Sequence, residues 1–106
     1  GEQRLGESIR DTRAHHVREE TGLTVESGRL ACVDSDPCQG GLCSYTDGVV
    51  QYTNLTFVCW CEPGALHASE ESTLLSWCRT TQLPHPFLQT HAWRLAQAMS
   101  GAMAVR

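Results

Sequence analysis

The first long segment of the chain is mostly polar, yet its end signals predict a helix over residues 8–21. Glu7 and Asp11 favour the start because negative charge is stabilised at a helix N-terminus, and Gly22 suits the position just after the last turn. Apolar support is confined to Ile9, Ala14 and Val17. A helix this polar is held by its neighbours or by bound ions, since it has no broad apolar face.

In the rest of the chain, alternating side-chain types favour strands, and one more helix is predicted after them. Residues 55–61 alternate between two faces with the strand period of two, and an Asp47-Gly48 turn before them is typical of a hairpin. The predicted strands are residues 23–25, 29–33, 49–61 and 74–78, with a loop through Asp36-Pro37 and Gly40-Gly41. An apolar side predicts a final helix over residues 90–104.

Helix, several strands and helix, without internal repeats, indicate an α+β fold or a mixed, layered α/β fold. The 106 residues allow one domain, over residues 1–106, with one modest core. With 41% hydrophobic and 19% charged residues the chain should be globular. No apolar run approaches the ~18 residues of a membrane span and no signal peptide is recognisable, so we expect a cytoplasmic protein without a membrane partner.

Charge and cysteine content narrow the function classes. The net charge is −4, with eight arginines and no lysine, which argues against a nucleic-acid partner but not against a small anionic substrate. Six cysteines could pair as disulfides, bind zinc, or remain reduced as small core or turn residues. The cysteines are Cys32, Cys38, Cys43, Cys59, Cys61 and Cys78. No CxxC pair occurs among them, so we favour the reduced state.

The first helix carries the candidate chemistry. Helical spacing places His16, Glu19 and Glu20 on one face, and Glu7 can reach that face from the helix start. Oxygen ligands there would bind Mg²⁺ or Mn²⁺, which can bridge a diphosphate and orient an attacking water. The alternative is a solvated acidic helix face, which is the commoner meaning of such glutamate pairs.

The spacing of these residues resembles the box of the Nudix hydrolase family, G-x5-E-x7-R-E-U-x-E-E-x-G-U, where U is a bulky aliphatic residue. Seven of its nine specified positions match over residues 1–23, and these are Gly1, Glu7, Val17, Glu19, Glu20, Gly22 and Leu23. The segments around Tyr45 and Glu70 are also similar to bacterial members often described as ADP-ribose or nucleoside-diphosphate-derivative pyrophosphatases. Two positions depart from the box: His15 stands for its arginine and His16 for its first glutamate.

The resemblance implies an α/β/α sandwich around a mixed sheet and metal-dependent hydrolysis of a nucleoside diphosphate linked to another moiety. The implied metal ligands are Glu7, Glu19, Glu20 and His16. His16 would also replace the base that activates water, and Glu71, in an acidic segment with Glu70, is a second catalytic candidate. An imidazole suits Zn²⁺, Ni²⁺ or Co²⁺ better than Mg²⁺, so we expect impaired activity with Mg²⁺ or Mn²⁺.

The box begins at residue 1, so the resemblance implies a partial Nudix domain that lacks the first strands of the family fold. Family members are often dimers, which implies a homodimer here. Two alternatives stay open beside the impaired hydrolase. One is a catalytically inactive Nudix module or fragment that binds a nucleotide or a protein partner. The other is a zinc-binding module that combines His15 or His16 with cysteines.

Overall fold

The computed structural model describes residues 1–39, 41–62, 64–70 and 74–106, and it has the α+β content that the sequence predicts. Its helices are α1 (Ile9–Thr21) and α2 (Gln89–Ser100), with a short 3-10 turn over Pro37–Gln39. Its strands are β1 (Val25–Asp34), β2 (Leu42–Tyr45), β3 (Gly48–Gln51), β4 (Asn54–Cys61) and β5 (Ala104–Val105). Within the described residues, no helix has both the length and the apolar character needed to cross a membrane.

The strands form two sheets. The larger has the order β4-β1-β5, in which β5 runs parallel to β1, with Cys32 opposite Ala104 and Val33 opposite Val105. The smaller is the antiparallel pair β2-β3. The chain divides into two compact units, one of Gly1–Gly28 with Cys59–Cys78 and one of Arg29–Val58 with Arg79–Arg106. The single domain over residues 1–106 stays a prediction.

The prediction of the first helix is confirmed, and its ends explain why so polar a segment is helical. Ser8 caps the N-terminus: its side chain accepts a hydrogen bond from the Asp11 backbone N–H, and the Asp11 carboxylate accepts one from the Ser8 N–H. The hydrogen bond from the Ser8 N–H is the main reason why the pKa of Asp11 lies below its usual range. At the other end Gly22 adopts a left-handed φ of 78° and donates to the Arg18 carbonyl at 2.8 Å.

The hairpin prediction is also confirmed, although its turn differs in detail. Tyr45 pairs with Gly48, so Thr46 and Asp47 form the two-residue connection. Gly48 has a φ of 149°, whereas no described non-glycine residue has a positive φ. Of the Asp47-Gly48 pair, only the glycine therefore has the positive φ that the sequence predicted for this turn.

Two strand boundaries were predicted incorrectly. The two short strands expected at residues 23–25 and 29–33 are one continuous strand, β1, because Gly28 takes no positive φ and does not interrupt it. The single strand expected over residues 49–61 is divided into β3 and β4. The break follows Gln51, where the Tyr52 N–H turns to the Gly41 carbonyl at 2.6 Å.

The predictions for the last third of the chain were wrong in two places. Residues 74–78 are not a strand: Leu74 and Trp77 are 89% and 61% exposed, and no described strand pairs with this segment. An apolar run alone cannot supply the sheet edge that a strand needs. The final helix ends at Ser100 instead of residue 104, because Gly101 takes a left-handed φ of 79°, and the chain then enters β5.

The second unit contains a buried ionic cluster, formed by Asp34, Arg94 and Arg106. Asp34 is 2% exposed, and Arg106 donates to both of its carboxylate oxygens, at 3.2 and 3.3 Å. Arg94 Nε lies 3.6 Å from the same carboxylate, and the Arg106 guanidinium stacks on the Trp93 ring at 3.7 Å. Burial raises the pKa of Asp34, but hydrogen bonds from Arg106 and from a backbone N–H, with both arginine charges, bring it below its usual range.

Candidate metal centre

The candidate centre lies in the first unit, on the face of α1 that the segment before the helix covers. Glu7 is held at the helix start, where its Oε1 accepts a hydrogen bond from the Arg4 N–H at 2.9 Å and lies 3.4 Å from the buried Thr12 hydroxyl. That backbone hydrogen bond is the main reason why the pKa of Glu7 is lowered, and the nearby charges of His15 and Arg4 act in the same direction, against the opposing effect of burial.

His15 is the middle residue of the centre. Its Nδ1 lies 2.8 Å from Glu7 Oε2, and its Nε2 lies 3.6 Å from Glu19 Oε2, one helical turn further on. Both ring nitrogens are shielded from solvent, and neither contact has the alignment of a hydrogen bond. His15 thus has a carboxylate beside each ring nitrogen, a close one at Nδ1 and a more distant one at Nε2.

His16 packs against His15 and against the start of the chain. The two rings stack with centroids 4.2 Å apart, and His16 Nε2 lies 3.0 Å from the Glu2 carbonyl oxygen. A carbonyl only accepts, so Nε2 carries the proton and Nδ1 has the free lone pair. Gly1 comes so close to the ring that any Cβ there would overlap it. Gly1 therefore makes room for the His16 ring.

Three of these residues lie close enough together that they could hold a metal ion. His15, His16 and Glu19 each offer one ligand atom, and these atoms all lie within 4.8 Å of one another. We call these three residues the α1 cluster. Arg4 Nη2 lies 3.6 Å from Glu19 Oε1, whereas His15 contacts Oε2, the other oxygen of the same carboxylate.

The other residues that the sequence predicts for the site are not among the three of the α1 cluster. Glu7 contacts the α1 cluster through His15. Glu20 is half-buried and does not belong to the group of ligands found among the described residues. Glu70 is exposed, and Glu71 lies outside the described residues. None of the six cysteines belongs to the α1 cluster, and all six are free thiols.

The sequence predicted a ligand role for His15 only in the zinc-binding alternative with cysteines, and otherwise treated it as the replacement for the box arginine. One signal could have placed it in the α1 cluster: His15 and Glu19 are four residues apart on a helix, which makes them neighbours. The contact with Glu7 depends on the turn at residues 4–7, where the Glu7 N–H donates to the Arg4 carbonyl at 3.1 Å.

The α1 cluster fits Mg²⁺ or Mn²⁺ poorly. These ions select oxygen ligands, whereas the cluster offers two imidazoles and one carboxylate. The Glu7 carboxylate is already engaged by His15 and by the Arg4 N–H, and Glu20 does not join it. The oxygen-rich site that the box pattern implies is therefore not gathered on the described part of this helix.

A cavity beside α1 is separate from the cluster. It is a shallow depression of about 480 Å³, lined by Arg10, Asp11, Arg13, Ala14, Val25 and Glu26. It shares no residue with the α1 cluster.

Comparison of the chain with known protein families, curated proteins and solved structures finds no significant match.

Proposed function

We propose that this chain is a Nudix-type module that hydrolyses a nucleoside diphosphate linked to another moiety, at a strongly impaired rate. The observation that carries the proposal is the seven-position match to the box in register with the helix that contains it. Glu7 lies just before the Ser8 cap and Gly22 ends the helix, so the spacing of the motif coincides with the bounds of α1. An α/β/α sandwich is the fold that the proposal implies.

His16 is the residue that we place in the role of base. Its Nε2–H is used by the Glu2 carbonyl, so Nδ1 is the atom that can take a proton from water as the water oxygen attacks phosphorus. The bond from phosphorus to the bridging oxygen then breaks. Imidazole is suited to this role near neutral pH. Glu71 remains a second candidate for the base, as the resemblance implies.

The interactions of Glu7 give the physical reason for a low rate. In the family this position supplies a carboxylate to a divalent ion, but here the carboxylate has His15 at 2.8 Å and a hydrogen bond from Arg4. An ion would have to displace these partners. Losing one base or one ligand typically lowers a rate by about 10²–10⁴-fold. We therefore expect slow turnover with Mg²⁺ or Mn²⁺.

The test is incubation of the purified chain with ADP-ribose and related dinucleotides in the presence of Mn²⁺, with nucleoside monophosphate release measured by chromatography. The control is Glu19→Gln, which keeps the size of the side chain and removes its charge. We expect slow release by the wild type that exceeds release by the control. Equal release by both proteins would contradict hydrolysis at this helix.

The second candidate function is a Nudix module without catalysis that binds a nucleotide or a protein partner. Two ion pairs within the chain favour it: Glu7 with His15, and Glu19 with Arg4. These contacts give Glu7 and Glu19, two of the three glutamates of the box, partners other than a metal. Binding of ADP-ribose in calorimetry, together with no release above the Glu19→Gln control, would select this function over the first.

A further inference from the structure

We propose that His15, His16 and Glu19 form a binding site for one borderline divalent transition ion of the Zn²⁺ and Co²⁺ class. The site uses the two residues at which the chain departs from the Nudix box, and it needs no cysteine. The inference goes beyond the proposed function: an ion at this site would take up the His16 nitrogen that we place as the base, so ion binding and hydrolysis with His16 as base are alternative uses of this residue.

The distances within the α1 cluster suit a small ion. All three ligand atoms lie within 4.8 Å of one another, and His15 Nε2 is 3.6 Å from Glu19 Oε2. Two ligands of a tetrahedral zinc site lie about 3.3 Å apart, as follows from metal–ligand lengths of roughly 2.0–2.1 Å. Small side-chain adjustments therefore bring the atoms to bonding distance.

Each imidazole has one nitrogen beside a partner oxygen, which leaves the other for an ion. Glu7 Oε2 faces His15 Nδ1 at 2.8 Å, and the Glu2 carbonyl faces His16 Nε2 at 3.0 Å. A carboxylate or carbonyl that holds the second nitrogen is the usual support of a metal-bound histidine, since it fixes the tautomer and strengthens the ligand. Here both supports are already in position.

The environment of the His15 ring is a second observation that favours an ion at this site. Both ring nitrogens are shielded from solvent, and Nε2, unlike Nδ1 beside Glu7, has only the 3.6 Å contact with Glu19. A buried polar atom without a partner is costly, so it calls for a ligand. An ion beside Nε2 would satisfy that nitrogen, while Glu7 would need only a slight realignment to accept a bond from Nδ1.

The donor set determines the class of ion. Two histidines and one glutamate are a known ligand set of zinc enzymes, in which the fourth position holds water or substrate. Neutral imidazole suits Zn²⁺, Co²⁺ and Ni²⁺, whereas Mg²⁺ and Ca²⁺ prefer oxygen throughout. The cation that opposes binding is Arg4, 3.6 Å from Glu19 Oε1. It leaves Oε2, the oxygen nearer His15, for the ion.

The test is titration of untagged, metal-free protein with Co²⁺, followed by visible absorption and by calorimetry, without any nucleotide. We expect one ion per chain and the intense absorption of a four-coordinate site. His15→Ala and Glu19→Gln should each weaken binding at least tenfold. The matched control is His91→Ala, which removes a histidine on α2 that contacts Phe87 and lies outside the α1 cluster. It should bind as the wild type does.

Two further variants keep the test independent of loss through misfolding. Arg4→Gln removes the competing cation and should tighten Co²⁺ binding, and Glu7→Gln should weaken it by about 10–100-fold as a support of His15. A titration without a stoichiometric ion, or binding that His15→Ala leaves unchanged, would overturn the site. Binding without nucleotide hydrolysis would uphold the site and count only against the proposed hydrolase.

Discussion

Replacing Asp34 by asparagine should destabilise the protein strongly, because Asp34 is the only anion that the structure shows in contact with Arg94 and Arg106 among the described residues. The Asp34 side chain is 3% exposed, and the two arginine side chains are 20% and 22% exposed. The asparagine side chain would keep the shape of the aspartate but leave two largely buried cations without a counter-charge.

The magnitude follows from the burial of the ionic cluster. Removing one partner of a buried ion pair costs about 3–5 kcal/mol. Both arginines retain some contact with water, so we expect the lower end, about 3 kcal/mol, or a fall in melting temperature of roughly 15 °C. Arg94→Gln should cost only about 1 kcal/mol, because its 3.6 Å contact is longer than the paired bonds of Arg106 and its Nε makes no hydrogen bond.

The assay is urea unfolding followed by tryptophan fluorescence, to which Trp93 contributes through its stack with Arg106. The control is Asp47→Asn in the exposed β2-β3 turn, which should stay within about 0.5 kcal/mol of the wild type. If Asp34→Asn is as stable as this control, the ionic cluster does not stabilise the fold as argued.

The pH dependence gives a second measurement on the same variant. The pKa of Asp34 is lower in the folded chain than its ordinary value of 3.8. Its stabilising contribution is therefore complete above that value and is lost as the pH falls from 3.8 through the lower folded pKa. The difference in unfolding free energy between wild type and Asp34→Asn should be constant from about pH 7 to pH 5 and shrink below 3.8.

Two predictions concern the ends of the helices. Gly22→Ala should lower the melting temperature more than Gly101→Ala does. Both glycines have a left-handed backbone, which costs a residue with a Cβ roughly 1–2 kcal/mol. Only at Gly22 would the new Cβ also meet the His67 side chain, at 2.8 Å. Equal losses would show that the His67 ring moves freely. Ser8→Ala should destabilise the protein by about 1 kcal/mol through loss of the N-cap of α1, whereas the exposed Thr53→Ala should not; a neutral Ser8→Ala would contradict the capping role.

The elements that the sequence predicted well are those with local signals. The first helix has its cap, its capping-box partner and its terminal glycine within residues 8–22, so three nearby residues suffice to place it. The hairpin around Gly48 is equally local. The pairing of β1 with β5 could not be predicted in this way, because Cys32 and Ala104 are far apart in sequence and β5 has only two residues.

The candidate centre shows the same limit. Helical spacing correctly placed His16 and Glu19 near each other, since that relation depends on α1 alone. The contact between Glu7 and His15 requires the preceding turn to fold onto the helix, and the position of His16 Nε2 depends on the Glu2 carbonyl. Side-chain pairings of this kind follow from the path of an irregular segment, which residue patterns do not specify.

In the proposed function, α1 is the helix of a Nudix-type hydrolase weakened at two positions. The most direct test is the double variant His15→Arg with His16→Glu, which completes the box, assayed for Mn²⁺-dependent hydrolysis of ADP-ribose beside the wild type. We expect the rate to rise by roughly 10²–10⁴-fold, and Glu19→Gln in the same background should abolish this rise. A completed box that remains at the wild-type level would contradict the proposal.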